Sequence, residues 1–325
     1  MRLLVLGGTH FLGRHVVSAA MARGHEVTTF TRGRTGTPPQ GAKDLRGDRG
    51  DPPALTAALG DWQPEAVIDT SCQSRAAAQQ AAFALAEVGA YAFVSSLNAY
   101  AGWPPGPVRS DEDPTWSTDD QQYGPVKAAA ERTLSAAVRG PVLLARAGLI
   151  CGPFDPVDRL GWWLRRIARG GRVVVPEGLD QPIALVDARD LADWLVRGVE
   201  QGWAGGVNAT GAVGMTTLGG LLEICTQVTG ADPELVAVPD DDLLSAGVEP
   251  WAQLPLWVPA EMAATLWDVS TGRARELGLA SRPIFDTVAD TWAWLHRLDA
   301  PPEPPHGRPH PGLPAELEQR LLMDR

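Results

Sequence analysis

The stretch Gly7-Gly8-Thr9-His10-Phe11-Leu12-Gly13 limits what this chain can fold into more than any other feature. It follows the apolar run Leu3–Leu6 and leads into a helical pattern from Phe11 to Arg23, with Val16, Val17, Ala20 and Met21 on its apolar side. Gly24 closes that pattern as a C-cap signal. A strand that turns through glycines into a helix aims backbone N–H groups and the positive end of a helix dipole at one point. That is a seat for a pyrophosphate, which assigns Gly7, Thr9, His10, Phe11, Leu12 and Gly13 to a dinucleotide; the alternative is an ordinary strand-to-helix turn. His10 stands where the usual Gly-x-x-Gly-x-x-Gly has its middle glycine. Its side chain either lies beside the pyrophosphate or faces solvent.

The alternation continues. Glu26–Phe30, Ala66–Asp69, Ala90–Ser95 and Val142–Arg146 read as strands, and Leu55–Leu59, Ala76–Val88 and Val126–Val138 as helices. Apolar strand runs separated by helical patterns predict an α/β fold, a doubly wound parallel sheet of the Rossmann type with a smaller C-terminal α/β substrate domain. The expected boundaries are 1–155 for the mainly dinucleotide-binding part and 156–299 for the mainly substrate-binding part, with elements interleaved into the first sheet. A Pro-rich tail, 300–325, completes the chain. In the second part Arg172–Val175 and Ile183–Val186 read as strands, and Leu191–Val199 and Leu218–Val228 as helices. Pro301–Pro311 reads as extended, with a short helix at Ala315–Met323.

Lys+Arg is 28 against 39 Asp+Glu, a net charge of -11. That balance speaks against nucleic acid or an anionic membrane as the main partner, and leaves a small molecule as the expected one. No apolar run approaches the roughly 18–20 residues of a membrane-spanning helix. Cys72, Cys151 and Cys225 are odd in number and lack metal-type spacing, so neither a disulfide framework nor a metal is expected. A reducing cytoplasm is the natural compartment. The N-terminus shows no signal-peptide pattern.

An acidic residue at the end of the second strand would mark NAD. Here the segment reads Phe30-Thr31-Arg32-Gly33-Arg34, with no carboxylate and two arginines. Guanidinium groups give bidentate, charge-assisted bonds to a 2′-phosphate. The expected cofactor is NADP(H), with NAD(H) possible if both arginines are merely solvated. Gly47-Asp48-Arg49 adds Asp48, placed to accept from the adenine amino group, and Arg49 beside it.

Tyr123-Gly-Pro-Val-Lys127 opens a helical run. A spacing of four stacks the two side chains on one face. An ammonium beside a phenol favours the phenolate, which makes the tyrosine a usable general acid and base for a carbonyl or alcohol.

With a glycine loop, GDR at 47–49, FVSSLNAYA at 93–101, YGPVK at 123–127, ARAGLICGP at 145–153, LVDARDLADW at 185–194 and GVNATG at 206–211, the chain resembles the extended or atypical branch of the short-chain dehydrogenase/reductase superfamily, the NAD-dependent epimerase/dehydratase family. The resemblance spans nearly the whole chain to about residue 299. It implies a catalytic triad of Ser96, Tyr123 and Lys127. Ser96 holds the substrate oxygen, Tyr123 transfers the proton, and Lys127 binds the nicotinamide ribose and tunes Tyr123. It also implies cofactor contacts at Thr70, Ser71, Ser95, Ala147 and Gly148, and a homodimer as the family's habit. A subgroup with a basic residue at the middle-glycine position is similar, and includes reductases and plastid RNA-binding relatives. The presence of both Tyr123 and Lys127 favours an active enzyme.

Two departures narrow the chemistry. Where sugar-nucleotide dehydratases of this family carry an Asp-Glu pair, this chain has Leu97 and Asn98, so no acid–base pair is available for removing water. Gln181 stands where an arginine for a substrate diphosphate is expected. Ser96, Leu97 and Asn98 are substrate-side candidates. Of the tryptophans in the second part, Trp162, Trp163, Trp251 and Trp257 are the pocket candidates, the alternative being core packing. Asp187 and Asp190 read as a turn and helix cap. The leading function is an oxidoreductase acting on a carbonyl, alcohol or imine. The alternatives are an epimerase and a non-catalytic nucleotide-sensing or RNA-binding relative.

Overall fold

The computed structural model of the protein describes every residue except Asp119, His306, Gly307 and Asp324. Two of these, His306 and Gly307, fall within the segment expected to be extended.

The first half runs β1 (Arg2–Leu6), α1 (Phe11–Ala22), β2 (Glu26–Thr31), β3 (Lys43–Arg46), α2 (Ala54–Leu59), β4 (Ala66–Asp69), α3 (Arg75–Ala84), β5 (Ala90–Ser96), α4 (Tyr123–Ala137) and β6 (Val142–Ala147). Then come β7 (Leu149–Cys151), α5 (Arg159–Ala168), β8 (Arg172–Pro176), β9 (Pro182–Ile183), β10 (Leu185–Asp187), α6 (Ala188–Gln201) and β11 (Gly205–Ala209). The chain ends with β12 (Thr216–Thr217), α7 (Leu218–Thr229), β13 (Glu234–Val238), α8 (Asp240–Ser245), α9 (Ala260–Leu266), α10 (Gly272–Glu276), α11 (Ile284–Leu295) and α12 (Ala315–Met323).

Seven strands form one parallel sheet in the order β11-β6-β5-β4-β1-β2-β3. The order reverses between β1 and β4, the switch point beyond whose C-terminal ends doubly wound sheets take their ligands. Alternate residues of β1 supply two separate cores. Leu3 and Val5 pack with Val16 and Val17 of α1 and with Leu191 and Leu195 of α6. Leu4 and Leu6 pack with Ala77 and Ala81 of α3 and with Ala130 and Leu134 of α4. Burial on both faces explains why these strands read as unbroken apolar runs. Each fully buried aliphatic side chain contributes roughly 1.5–3 kcal/mol.

A third core forms around α5, α7, β8 and β13 and includes Trp163, Trp257, Leu317 and Leu321. The C-terminal helix α12 is tied to α5 by a buried pair, Arg166 Nε donating to both Glu318 oxygens at 2.8 and 2.9 Å. Ile183–Val186, expected as one strand, is divided. Pro182–Ile183 pairs antiparallel with β12, while Leu185–Asp187 pairs parallel with β7. The change of partner at Ala184 belongs to tertiary packing, which local apolarity does not encode. No helix among the described residues is long and apolar enough to cross a membrane.

Candidate active site

The C-terminal ends of β1, β2, β4, β5 and β6 open onto one cavity of about 1400 Å³. Its wall brings together the glycine loop, Arg32, Arg34, Asp48, Arg49, Thr70, Ser71, Ser95, Ser96, Leu97, Asn98, Tyr123, Lys127, Ala147 and Gly148.

At the loop end, glycine is required by space. A Cβ on Gly13 would lie 2.6 Å from the backbone nitrogen of Gly8, and one on Gly7 2.5 Å from Thr70 Oγ1. Gly7 and Gly8 also have φ of +104° and +115°, which side chains rarely adopt. His10 needs no such freedom: its φ of −134° and ψ of 142° are ordinary extended backbone, so the middle glycine is dispensable here. Helix α1 has no side-chain cap, whereas Ser74, Asp187 and Thr217 cap α3, α6 and α7. The first N–H groups of a helix need acceptors from outside it. An uncapped N-terminus against a glycine cradle fits a pyrophosphate.

Arg32 and Arg34 are exposed on the cavity rim. Arg49 differs from expectation. Its guanidinium grips Asp69 in two parallel bonds of 2.7 and 2.8 Å and also donates to Ser71 Oγ and the Ala77 carbonyl. It braces the wall and has little capacity left for a phosphate. Asp48 Oδ1 accepts from Gly50 N–H at 2.9 Å, shaping the adjoining turn.

At the chemical end, Tyr123 is the first residue of α4 and is 43% exposed, while Lys127, one turn on, is 3% exposed. Lys127 Nζ donates to the carbonyls of Cys72 and Val94, both at 3.0 Å, and lies 5.6 Å from the centre of the Tyr123 ring. An ammonium has three protons. Two are spent on the backbone, fixing the amine between the loop after β4 and strand β5, and the third remains for a ligand or for Tyr123. Ser96, the last residue of β5, accepts at Oγ from the backbone and side-chain amides of Asn98, both at 3.2 Å. That leaves its own proton for a substrate oxygen. Ser95 is turned inward and donates to Glu131, which also takes Arg146 in a buried pair. Ser95 therefore braces α4 against the sheet. Sequence reasoning missed this network, because Glu131 and Arg146 carry no local signal of their pairing.

Three of the four tryptophan candidates are corrected. Trp163 and Trp257 are fully buried and donate to Pro255 O and Asp240 Oδ1, and Trp162 packs edge-on against Trp163. They belong to the third core. The cavity instead takes Trp251, together with Trp103 and Trp267, Val258 and Met262. Trp103 and Trp267 went unread because face assignment needs the tertiary packing. Gln181 is buried and donates to Leu256 O at 2.9 Å, so it is not available to a diphosphate. Asp187 caps α6 by accepting from Arg189 N–H.

Asp155 is another wall residue the sequence did not single out. Burial pushes its carboxyl up to about 7, against the opposing effects of the Val157 N–H and the Arg159 charge. The native state therefore holds a proton on this group between about pH 4 and 7 that the unfolded chain releases. Its contribution is full below about pH 4, falls as pH rises from there, and is gone above about pH 7. Asp155→Asn should thus come close to the wild type near pH 4 and exceed it near pH 8, by about 2–4 kcal/mol if the shift is worth 1.4 kcal/mol per unit. Urea titrations of both proteins at the two pH values check this. An equal difference at both would remove Asp155 as the titrating group.

A family model, the NAD dependent epimerase/dehydratase family, matches residues 3–211. The chain is 32% identical over 185 residues to a 2′-dehydrokanamycin reductase of Streptomyces kanamyceticus, covering 54% of this chain and 52% of that protein. The alignment therefore spans about half the length of that relative. It is 28% identical over 232 residues to a 3-diazoavenalumate denitrifying reductase of a Streptomyces species, covering 65% of this chain and 76% of the relative. The fold is shared with the UDP-glucose 4-epimerase of Thermotoga maritima, with a TM-score of 0.67 at 18% identity over 91% of this chain and 99% of that one.

Proposed function

This chain belongs to the NAD dependent epimerase/dehydratase family, and from that premise we propose that it is an NADP(H)-dependent reductase or dehydrogenase acting on a carbonyl, alcohol or imine. The observation that carries the reading is the single cavity that joins an uncapped, glycine-cradled helix N-terminus to Ser96, Tyr123 and Lys127. Two relatives with reductase names support it.

The glycine loop and the α1 N-terminus would hold the pyrophosphate, and Arg32 and Arg34 a 2′-phosphate. NADPH, when bound, supplies a hydride. The protein supplies the rest. Ser96 Oγ–H donates to the carbonyl oxygen and orients it. Tyr123 gives its phenolic proton to that oxygen as charge develops there, and the free proton of Lys127 compensates the phenolate left behind. Burial of the ammonium between two carbonyls keeps it from swinging away. Asn98, in hydrogen-bond contact with Ser96, has no acid–base capacity, so elimination of water finds no partner there.

Loss of reduced nicotinamide absorbance with a panel of aldehydes, ketones and imines tests the reading. An epimerase would show turnover of substrate with no net consumption of NADPH. Replacing both rim arginines, Arg32→Ser with Arg34→Ser, should weaken NADPH by about 10²–10⁴-fold, given charge-assisted bonds of about 1.5–3 kcal/mol each. NADH affinity should hardly move. Calorimetry with both dinucleotides measures the two changes, and parallel losses would remove the 2′-phosphate assignment.

A further inference from the structure

The substrate end of the cavity carries a cation that the proposed chemistry does not use. Arg159, the first residue of α5, lines it beside Asp155, Trp251 and Arg308. Arginines buried elsewhere are matched to carboxylates: Arg49 to Asp69, Arg146 to Glu131, Arg166 to Glu318. Arg159 is half-buried, yet among the described residues no hydrogen bond or ion pair engages its guanidinium. Its neighbour Asp158 is taken by Arg165. What Arg159 does have is the face of Trp251, 5.0 Å from the ring centre.

Desolvation lowers the Arg159 pKa, and the Arg308 charge adds to that, while Asp155 opposes it. A guanidinium held in this way gains from an anion arriving from outside. On the same wall, the indole N–H of Trp267 is buried without an acceptor among the described residues. Buried donors of that kind are normally satisfied. The same cavity is also lined by the apolar and aromatic Trp103, Val258 and Met262.

We propose that Arg159 is a specificity-determining residue that receives a carboxylate, and that the substrates are planar organic acids whose reducible group reaches Tyr123. The proposal rests on the reductase reading for its second half only. A single carboxylate fits better than a diphosphate. The site offers one half-buried fork and one exposed arginine, and the adjacent Asp155 would repel a second negative charge once ionised. A planar fork matches a carboxylate in two bonds, and a planar body can lie along the tryptophans.

The test titrates benzoate and its neutral isostere benzamide into the full chain saturated with NADP+, followed by calorimetry. The wild type should bind benzoate at least about 10-fold more tightly than benzamide. Arg159→Gln should lose that margin, and its NADP+ affinity, measured in the same sample, reports whether the first pocket is intact. Arg308→Gln should narrow the margin less, because that side chain is exposed. Equal binding of the two probes by the wild type overturns the proposal. So does a margin retained in Arg159→Gln, or UDP binding more than about 10-fold tighter than benzoate at the same place. If Arg159→Gln does not fold, Arg159→Lys keeps the charge without the fork and must still weaken benzoate several-fold. Failure of NADP+ to bind would sink the reductase reading alone, because benzoate titrated into the unliganded chain still decides the anion site.

Discussion

Tyr123→Phe is expected to lower kcat by about 10²–10⁴-fold while leaving thermal stability and NADPH affinity close to those of the wild type. The separation follows from the surroundings of the phenol. The ring is 43% exposed, and no described protein group pairs with its hydroxyl, so removing that oxygen leaves no buried partner stranded. The hydroxyl can then matter only to a ligand. Lys127 is the opposite case. Its ammonium is buried and satisfies two carbonyls, Cys72 O and Val94 O. Lys127→Met would orphan both acceptors, at about 1–3 kcal/mol each, and would loosen α4 from the sheet. That variant should lose activity and stability together. Tyr123→Phe is therefore the cleaner probe of chemistry, and Lys127→Met of architecture. Steady-state kinetics and thermal melts on the pair check both. If Tyr123→Phe retains more than about a third of wild-type turnover, the proton does not pass through this phenol.

The contrast between those two residues shows how far sequence alone reaches. The strand–glycine–helix start, the alternating strands and the Tyr–Lys spacing are local patterns, and local patterns survive in one dimension. Ala66–Asp69 and Ala315–Met323 have the boundaries their apolar periodicity predicts. The second half was less legible. Helix α5 follows a turn of Gly, Pro and Asp residues, and its tryptophans point to a core that exists only when α7, β8 and the C-terminal helix assemble around them. Trp163 and Trp251 are chemically identical in the sequence, and only packing puts one under the surface and the other on the cavity wall. Arg159 and Arg308 are about 150 positions apart, yet both face one space. The same holds for Arg49, whose place beside Asp48 suggests a ligand contact and whose partner lies twenty residues on.

That last pair supports the largest expected stability effect. Asp69 is 0% exposed at the end of β4 and accepts from Arg49 twice, from Tyr91 Oη at 2.9 Å and from Ser71 N–H at 3.1 Å. Arg49→Leu would leave this carboxylate buried with its counter-charge gone, at about 3–5 kcal/mol. Asp69→Asn would strand the guanidinium, whose Nε is already buried without a partner among the described residues, at a similar cost. Combining Arg49→Leu with Asp69→Asn removes both charges, so the double variant should be less destabilised than the sum of the singles by about 2 kcal/mol or more. The effect should reach the site. Ser71 and Asp48 sit on the cavity wall and depend on this brace for position, so dinucleotide affinity should fall in the singles and partly return in the double. Urea unfolding gives the stability cycle and calorimetry the binding cycle. Strict additivity in the first would mean that the two side chains do not pair in solution. Unchanged affinity in both singles would mean that the wall keeps its shape without them.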